Sequence, residues 1–400
     1  MPATTYRDLL RTPSVPWLLG TSVVGRANQG MTGLALLLLV TQRSTYAVAG
    51  AVSAAYLAGA FLAGPVWSRL ADSRGRRKVL SVTAVAFALS MAALSAVPPR
   101  PGLLALFALV GGLCIPPVTA SIRAALPALV SVEQRRSVFA LESTVQELIF
   151  VLGPPATAVL ATIGGPRLAV AAAGVLVLFG SLGFARDRNA DAGRHFGELP
   201  KGGRVLREPG IPGVIAAGFA LVAAFACETV GVVALVSGRH ASSSAAFTLA
   251  CTSIGSLCGG LIYGSRHRHR AQLRHLLLFV AIGLAMLLLA PDRIVLTLLL
   301  FCWGLTIAPA LSRLFERLAS LAPPAATTEA FGWMGSGLTA GNAMGSALGG
   351  VLVTASGGRA ALGLSVGLTF VAALVCEPWP ALTRRPTRRA DDAALADAVS

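Results

Sequence analysis

The chain has 400 residues, is 55% hydrophobic and only 12% charged, and carries a formal net charge of +16 at a mean hydropathy of +0.72. A soluble protein of this length needs far more polar surface, so the composition predicts a polytopic membrane protein. The positive charge does not indicate nucleic acid, because the cations follow the connections between apolar runs and lack aromatic or motif support.

Residues Met1 to Pro16 lack a cleavable signal pattern, so the first apolar run is expected to stay as a true span. Hydropathy places helices at roughly 15–41, 46–68, 77–97, 102–125, 137–162, 167–186, 210–236, 243–264, 274–291, 294–320, 327–355 and 359–377. That is twelve. With the N-terminus inside, one side receives Arg7 and Arg11, the cations from Arg69 to Lys78, Arg123, Arg135 and Arg136, those from Arg186 to Arg207 and from Arg266 to Arg274, Arg313 and Arg317, and the tail from Arg384. These make 26 of the 33 Lys and Arg, whereas Arg43, Arg100, Arg167, Arg239, Arg293 and Arg359 fall singly in the opposite loops. The asymmetry predicts an inner-membrane protein with both termini cytoplasmic. Cys114, Cys227, Cys251, Cys258, Cys302 and Cys376 all lie in spans without metal-site spacing, and read as small buried apolar residues.

Between Asp187 and Glu208 the chain turns polar, which predicts a linker (187–208) between six-helix halves at 1–186 and 209–380, with a polar tail at 381–400. The halves echo each other: Val159-Leu160-Ala161-Thr162 and Gly164-Gly165-Pro166-Arg167 answer Val351-Leu352-Val353-Thr354 and Ser356-Gly357-Gly358-Arg359. Gly59 and Gly64 likewise fall on Gly255 and Gly260. Such an echo fits parallel repeats about an axis along the membrane normal. Small-residue stripes, among them Gly337-Gly341-Gly345-Gly349 and Ala51-Ala55-Gly59-Ala63, predict close helix packing. Pro116-Pro117 and Gly153-Pro154-Pro155 are expected to bend their helices.

The connection after the second predicted helix reads Ser68-Arg69-Leu70-Ala71-Asp72-Ser73-Arg74-Gly75-Arg76-Arg77-Lys78. Leu70, Ala71, Asp72, Gly75, Arg76 and Arg77 match a signature loop, and with twelve spans in two repeats the chain resembles the major facilitator superfamily along essentially its whole length. Ser68 and Ser73 depart from the signature's glycine and basic residue. The resemblance implies that Asp72 meets the positive N-terminus of the eleventh helix near Thr327-Thr328 when the cytoplasmic side is closed. In the second half Arg268 stands where Asp72 aligns, so no second latch of this kind is expected. Arg123 replaces an acid that often pairs with the latch arginine, which leaves Glu133 and Glu142 as candidate partners of Arg76.

Gly153-Pro154-Pro155-Ala156-Thr157 resembles in part a motif of the superfamily's exporters, with Ile149 and Thr157-Ala158 departing from it. Phe107 and Ala108 occupy the place of an arginine that antiporters of this type often carry. The resemblance therefore points to bacterial drug/proton antiporter-like efflux, without carrying over the antiport residues.

Charges inside spans usually mark a pathway. Arg26 lies about 16 Å into the first helix at 1.5 Å per residue, and Ser22, Arg26, Gln29 and Gly33 share one face, with Asn28 and Thr32 beside them. That face is expected to line a wet cavity. Glu147, with Gln146 beside it, and Glu228 are expected to carry a proton as the cavity alternates, or in the case of Glu147 to pair with Arg26 or bind a substrate cation. Glu142 is read as shallower, within reach of the interface. Trp303, Trp333 and Asn342 are either packing residues or substrate contacts. His267, His269 and His275 are read as solvated, no metal or cofactor site is expected, and no phosphate-cradling loop appears.

The resulting expectation is a monomeric secondary transporter, not an enzyme, with membrane lipid, a small-molecule substrate and protons as partners. Its cargo is read as a small lipophilic organic compound, as in multidrug resistance. Alternatives are a small anionic solute recognised by Arg26, or a non-transporting membrane sensor or scaffold.

Overall fold

A computed structural model of the chain describes residues 6–42, 44, 46–98, 100–193, 204–236, 241–265 and 272–376. After a short helix, Tyr6–Arg11, come α1 (Val15–Thr41), α2 (Tyr46–Arg74), α3 (Arg76–Ala96) and α4 (Pro101–Ala128). The run Arg135–Arg186, 52 residues long, holds α5 (135–163) and α6 (166–186). Then follow α7 (Ile211–Val236), α8 (Ala241–Ser265), α9 (Leu273–Leu287), α10 (Arg293–Leu321), α11 (Thr327–Ser356) and α12 (Gly358–Val375). Among the described residues, nine helical segments are long and apolar enough to cross a membrane. One of these is the α5–α6 pair, and α8 and α9 supply shorter apolar stretches, so the protein is an all-helical, multi-pass membrane protein of twelve spans.

Three spans are interrupted. In α1 the backbone leaves helical geometry at Arg26 (φ −107°, ψ 9°), and in α10 a turn at Leu305–Thr306 interrupts the helix while both residues keep right-handed helical dihedrals. In α4 the break spans Cys114 to Pro117. Pro117 has no N–H to give the carbonyl of Leu113, four residues back, and that carbonyl accepts the indole N–H of Trp67 from α2 at 2.6 Å instead. The expected bend at Gly153, Pro154 and Pro155 is not where α5 departs from a helix. The non-helical dihedrals lie at Gly164 (φ −134°, ψ 17°) and Gly165 (φ 78°, ψ 168°), in the turn between spans. Gly153 instead serves packing: a Cβ there would sit 2.6 Å from the Gly30 backbone of α1, so the two helices touch backbone to backbone. The position 192 residues later, Gly345 of α11, meets Ala223 of α7 in the same way.

Buried apolar residues gather in three clusters. One joins α1 to α4 and α6 through Leu36, Phe87, Met91 and Val177, and a second joins Leu18, Leu80, Ile122 and Phe184. The third, around Leu221, Leu284, Leu300, Leu314 and Leu362, belongs chiefly to α7–α12, with Val205 joining it from the segment before α7 and Ala120, Ala124 and Phe139 from α4 and α5. The last three residues mark a seam between α1–α6 and α7–α12.

The seam is closed at the end of the bundle that carries the basic connection after α2, called here the basic end. Along α2 and α11, Ser336 Oγ donates to the carbonyl of Phe61 at 2.8 Å, and Arg69 lies 3.8 Å from Glu329. Between these contacts a Cβ on Gly332 would lie 2.5 Å from Ser68, so the glycine permits the approach. Across α5 and α8, Ser137 Oγ donates to Gly264 O at 2.8 Å and the Arg136 guanidinium stacks 3.9 Å above Tyr263. Ser312 of α10 donates to Ser143 of α5 at 3.2 Å.

Of the six cysteines, all free, only Cys227 and Cys376 are buried; Cys302 is exposed, which corrects the expectation that all six are interior. An outward-facing cysteine is tolerated in a span because lipid, like a protein core, accepts an apolar thiol.

Candidate functional site

Two polar constellations sit on this scaffold. The first is the latch at the basic end. Gly75, at φ 98°, turns the chain between α2 and α3, a conformation that a residue with a Cβ adopts only with strain. The turn brings Asp72 and Arg76 onto α11. Asp72 Oδ2 accepts the backbone N–H of Glu329 at 2.8 Å, in the first turn of α11, where orphan N–H groups and the helix dipole favour an anion.

Arg76 is fully buried and uses most of its donors. Its Nε donates to Thr328 Oγ1 at 3.0 Å, its Nη1 to the carbonyls of Ala192 at 2.7 Å and Ala190 at 3.4 Å, and Nη2 lies 3.9 Å from Asp72. Its backbone N–H donates to Asp191 Oδ1 at 2.7 Å. Neither Glu133 nor Glu142 is its partner. Carbonyls of the segment after α6 take that role, because a guanidinium is satisfied by several neutral acceptors when the end of α2 already supplies one carboxylate. Arg77 donates to Ala185 O at 2.7 Å. Arg268, His267 and His269 lie outside the described residues, as do Arg43, Arg239 and the tail 381–400.

The second constellation is a buried ion cluster between α1, α4 and α5. Arg26, 1% exposed, sits in the break of α1 and donates through Nη1 to Glu142 Oε1 at 2.6 Å and to Gln146 Oε1 at 3.2 Å. Its Nε and Nη2 reach Ser22, the carbonyl and the hydroxyl, both at 3.1 Å. Arg123 of α4 donates to Glu142 Oε2 at 3.0 Å and to Gln146 Oε1 at 2.5 Å. Gln146 continues to Gln29 at 3.3 Å, and Gln29 to Thr119 at 2.9 Å. Two arginines thus share one carboxylate, which leaves the cluster with one uncompensated positive charge.

Several expectations change here. Glu142 does not reach the interface: it is completely buried, and it, not Glu147, is the partner of Arg26. Arg26 therefore faces protein and not a wet cavity. Its helix is broken so that carbonyls and the Glu142 carboxylate can satisfy it, a cheaper arrangement at this depth than water would require.

The remaining candidates do not form one set. Glu147 is half-buried and accepts from Ser256 of α8 at 3.2 Å, so it spans the seam. Asn28 turns toward α2 and donates to Tyr56 at 3.2 Å. Glu228 is 3% exposed on α7; Thr229 donates to its Oε2 at 3.2 Å, and its Oε1 has no hydrogen-bond partner. Trp303 is enclosed within α7–α12, with its Nε1 on Val280 O at 3.2 Å and Phe225 edge-on at 5.6 Å. Burial removes Glu228 and Trp303 from any exposed cavity wall. Gln29 and Asn342 are exposed, and Trp333 is half-buried with an unpartnered Nε1. His275 is exposed.

Residues 18–316 match the sequence profile of the Major Facilitator Superfamily, about three-quarters of the chain. The chain belongs to this superfamily. As a superfamily member it is a membrane transporter, and solved structures share its fold. The human organic anion transporter MFSD10 (TETRAN) superposes with a TM-score of 0.71 at 17% identity, covering 92% of this chain and 99% of that one. A bacterial homologue of the iron transporter ferroportin in an outward-facing state gives 0.75 at 14%, over 90% and 98%. The Escherichia coli fucose:proton symporter FucP gives 0.70 at 14%, over 92% and 100%. No curated protein matches the sequence.

Sequence reasoning missed how the two constellations meet. Arg123 stacks its guanidinium 3.5 Å from the ring centroid of Phe315 in α10, which packs on Phe331 of α11, itself beside Phe139 of α5. The ion cluster therefore rests on an aromatic plug that crosses the seam. Arg123 and the three phenylalanines lie on four different helices, so no local spacing signals the contact.

Proposed function

We propose that this superfamily member is a proton-coupled exporter of a small lipophilic organic compound, resident as a monomer in the inner membrane with both termini and the basic end in the cytoplasm. In this reading the six-helix units 1–186 and 209–380, joined by 187–208, rock about a midplane site, with 381–400 as a cytoplasmic tail. The observation that carries proton coupling is the contrast among the carboxylates. Glu142 is locked between two arginines, whereas Glu228 is buried with an unpartnered oxygen and Glu147 bridges the seam through a single hydroxyl. A carboxyl group with no fixed counter-ion is the one whose proton responds when the cavity changes sides.

The mostly apolar spans and the partial exporter motif around Gly153-Pro154-Pro155 support a lipophilic cargo moving outward. The test is proton movement in liposomes on addition of candidate compounds, comparing wild type with Glu147→Gln and Glu228→Gln. Loss of coupled proton flux in one variant, with the protein still folded, supports the reading. Unchanged flux in both overturns it.

A second reading is favoured by the surplus positive charge of the Arg26–Glu142–Arg123 cluster, which suits a small organic anion held near Gln29. Under it, Arg26→Gln abolishes transport of anions, whereas a lipophilic-compound pump retains part of its activity.

A further inference from the structure

A groove of about 1000 Å³ opens at the basic end between α1, α3 and α6, away from the ion cluster and beside the latch, with which it shares Gly75, Arg77 and Asp191. Its rim is cationic: Arg74, Arg77, Lys78 and Arg186 line it, and all four are exposed. Arg77 spends its Nε on Ala185 O. Arg74, Lys78 and Arg186 have no hydrogen-bond or ion-pair partner among the described residues. The acid in the groove, Asp191, has Oδ1 engaged by the backbone N–H of Arg76. The rim is therefore strongly positive.

From the rim the groove runs along the membrane-spanning parts of α1 and α6. Trp17, 54% exposed, is pinned by its indole N–H to Gly183 O at 2.9 Å, and Val24 and Phe179, 38% and 66% exposed, lie further in. Arg186 and Phe179 are seven residues apart on α6, as are Trp17 and Val24 on α1, so the apolar wall extends about 10 Å beyond the charges. Around Gly20 a Cβ would meet nothing within 4 Å, so the groove stays open there.

We propose that this groove binds an anionic phospholipid, its phosphate held by Arg74, Lys78 and Arg186 and its upper acyl chain laid against Trp17, Val24 and Phe179. The charge selects the occupant: a zwitterionic lipid brings its own cation to a rim that already holds four. The depth does so as well, because a free phosphate has nothing to cover the aromatic and aliphatic wall. Only the leaflet rests on the proposed orientation; the site itself does not.

The test uses the full-length protein, purified with phosphatidylglycerol and phosphatidylcholine in equal amounts and examined by native mass spectrometry. A one-to-one phosphatidylglycerol adduct is expected. The variant Arg74→Gln/Lys78→Gln/Arg186→Gln should lower its affinity roughly hundredfold, each cation contributing about a factor of five. The variant Arg100→Gln/Arg167→Gln/Arg293→Gln, at the opposite end, should leave it unchanged.

In vesicles with a low fraction of brominated-chain phosphatidylglycerol, Trp17 fluorescence, obtained by difference from Trp17→Phe, should be quenched more than with brominated phosphatidylcholine. If the groove variant does not fold, this quenching in the wild type decides the matter alone. Equal quenching by both lipids, equal loss in both triple variants, or an adduct that inorganic phosphate displaces each overturns the proposal.

Discussion

The Asp72 carboxylate and the backbone N–H of Glu329 meet at 2.8 Å, 257 residues apart in sequence, with the charge of the first placed on the positive end of the helix whose first turn holds the second. This contact joins α2 to α11 across the seam and depends on the seam being closed. Charge at a helix N-terminus contributes about 1 kcal/mol when partly buried. Asp72→Asn should therefore shift the balance roughly fivefold toward a basic end that is open. Electron–electron distance measurements between spin labels on the basic ends of α2 and α11 should show a longer population in the variant. An unchanged distribution would show that the contact is a bystander.

Glu142 holds two guanidiniums that lie in protein and not in water. Glu142→Gln leaves both without a counter-ion and should cost about 3–5 kcal/mol, seen as a large drop in thermal unfolding temperature in detergent. Adding Arg123→Gln restores the balance of one charge removed with another, so the double variant should recover part of the loss. Additive damage would mean that Arg123 draws its stability from Phe315 and not from Glu142.

Gly30 and Gly33 are one turn apart on α1 but differ in what a side chain would meet. A Cβ on Gly30 runs into the carbonyl of Ile149, whereas around Gly33 nothing lies within 4 Å. Gly30→Ala should force α1 from α5 and lower folded yield and unfolding temperature by an amount corresponding to about 1–3 kcal/mol. Gly33→Ala should change neither measurably, since its surroundings have room for the added methyl.

Glu228 offers a carboxyl oxygen that nothing in the fold uses. Glu228→Gln removes the capacity for charge without removing a native contact beyond the hydroxyl of Thr229, so unfolding temperature should hold or rise. Proton-coupled flux, measured in the same preparation, should fall. A variant that loses stability instead would identify Glu228 as a structural group.

The twelve spans were legible because each is a local property: a run of about 20 apolar residues must be a helix in lipid, whatever its neighbours. The break at Pro116-Pro117 was legible for the same reason, since a missing N–H is written in the residue itself. At Pro154-Pro155 the dihedrals stay helical, and what the sequence did not show is that Gly153 beside them packs against Gly30. Arg26 was visible as a charge at the wrong depth, yet the sequence offered Glu147 to meet it and placed Glu142, its partner in the structure, near the interface.

By itself the sequence determined that the chain crosses the membrane twelve times and that its halves repeat, and the family resemblance implied that Asp72 engages a helix end. Only the tertiary structure decided which acid meets which arginine and that Arg123 rests on Phe315. It also decided that Glu228 and Trp303 are enclosed while Gln29 is not. The division has a physical basis: hydropathy and missing donors act within a few residues, whereas ion pairing and burial depend on the rotation of each helix against neighbours more than a hundred residues away.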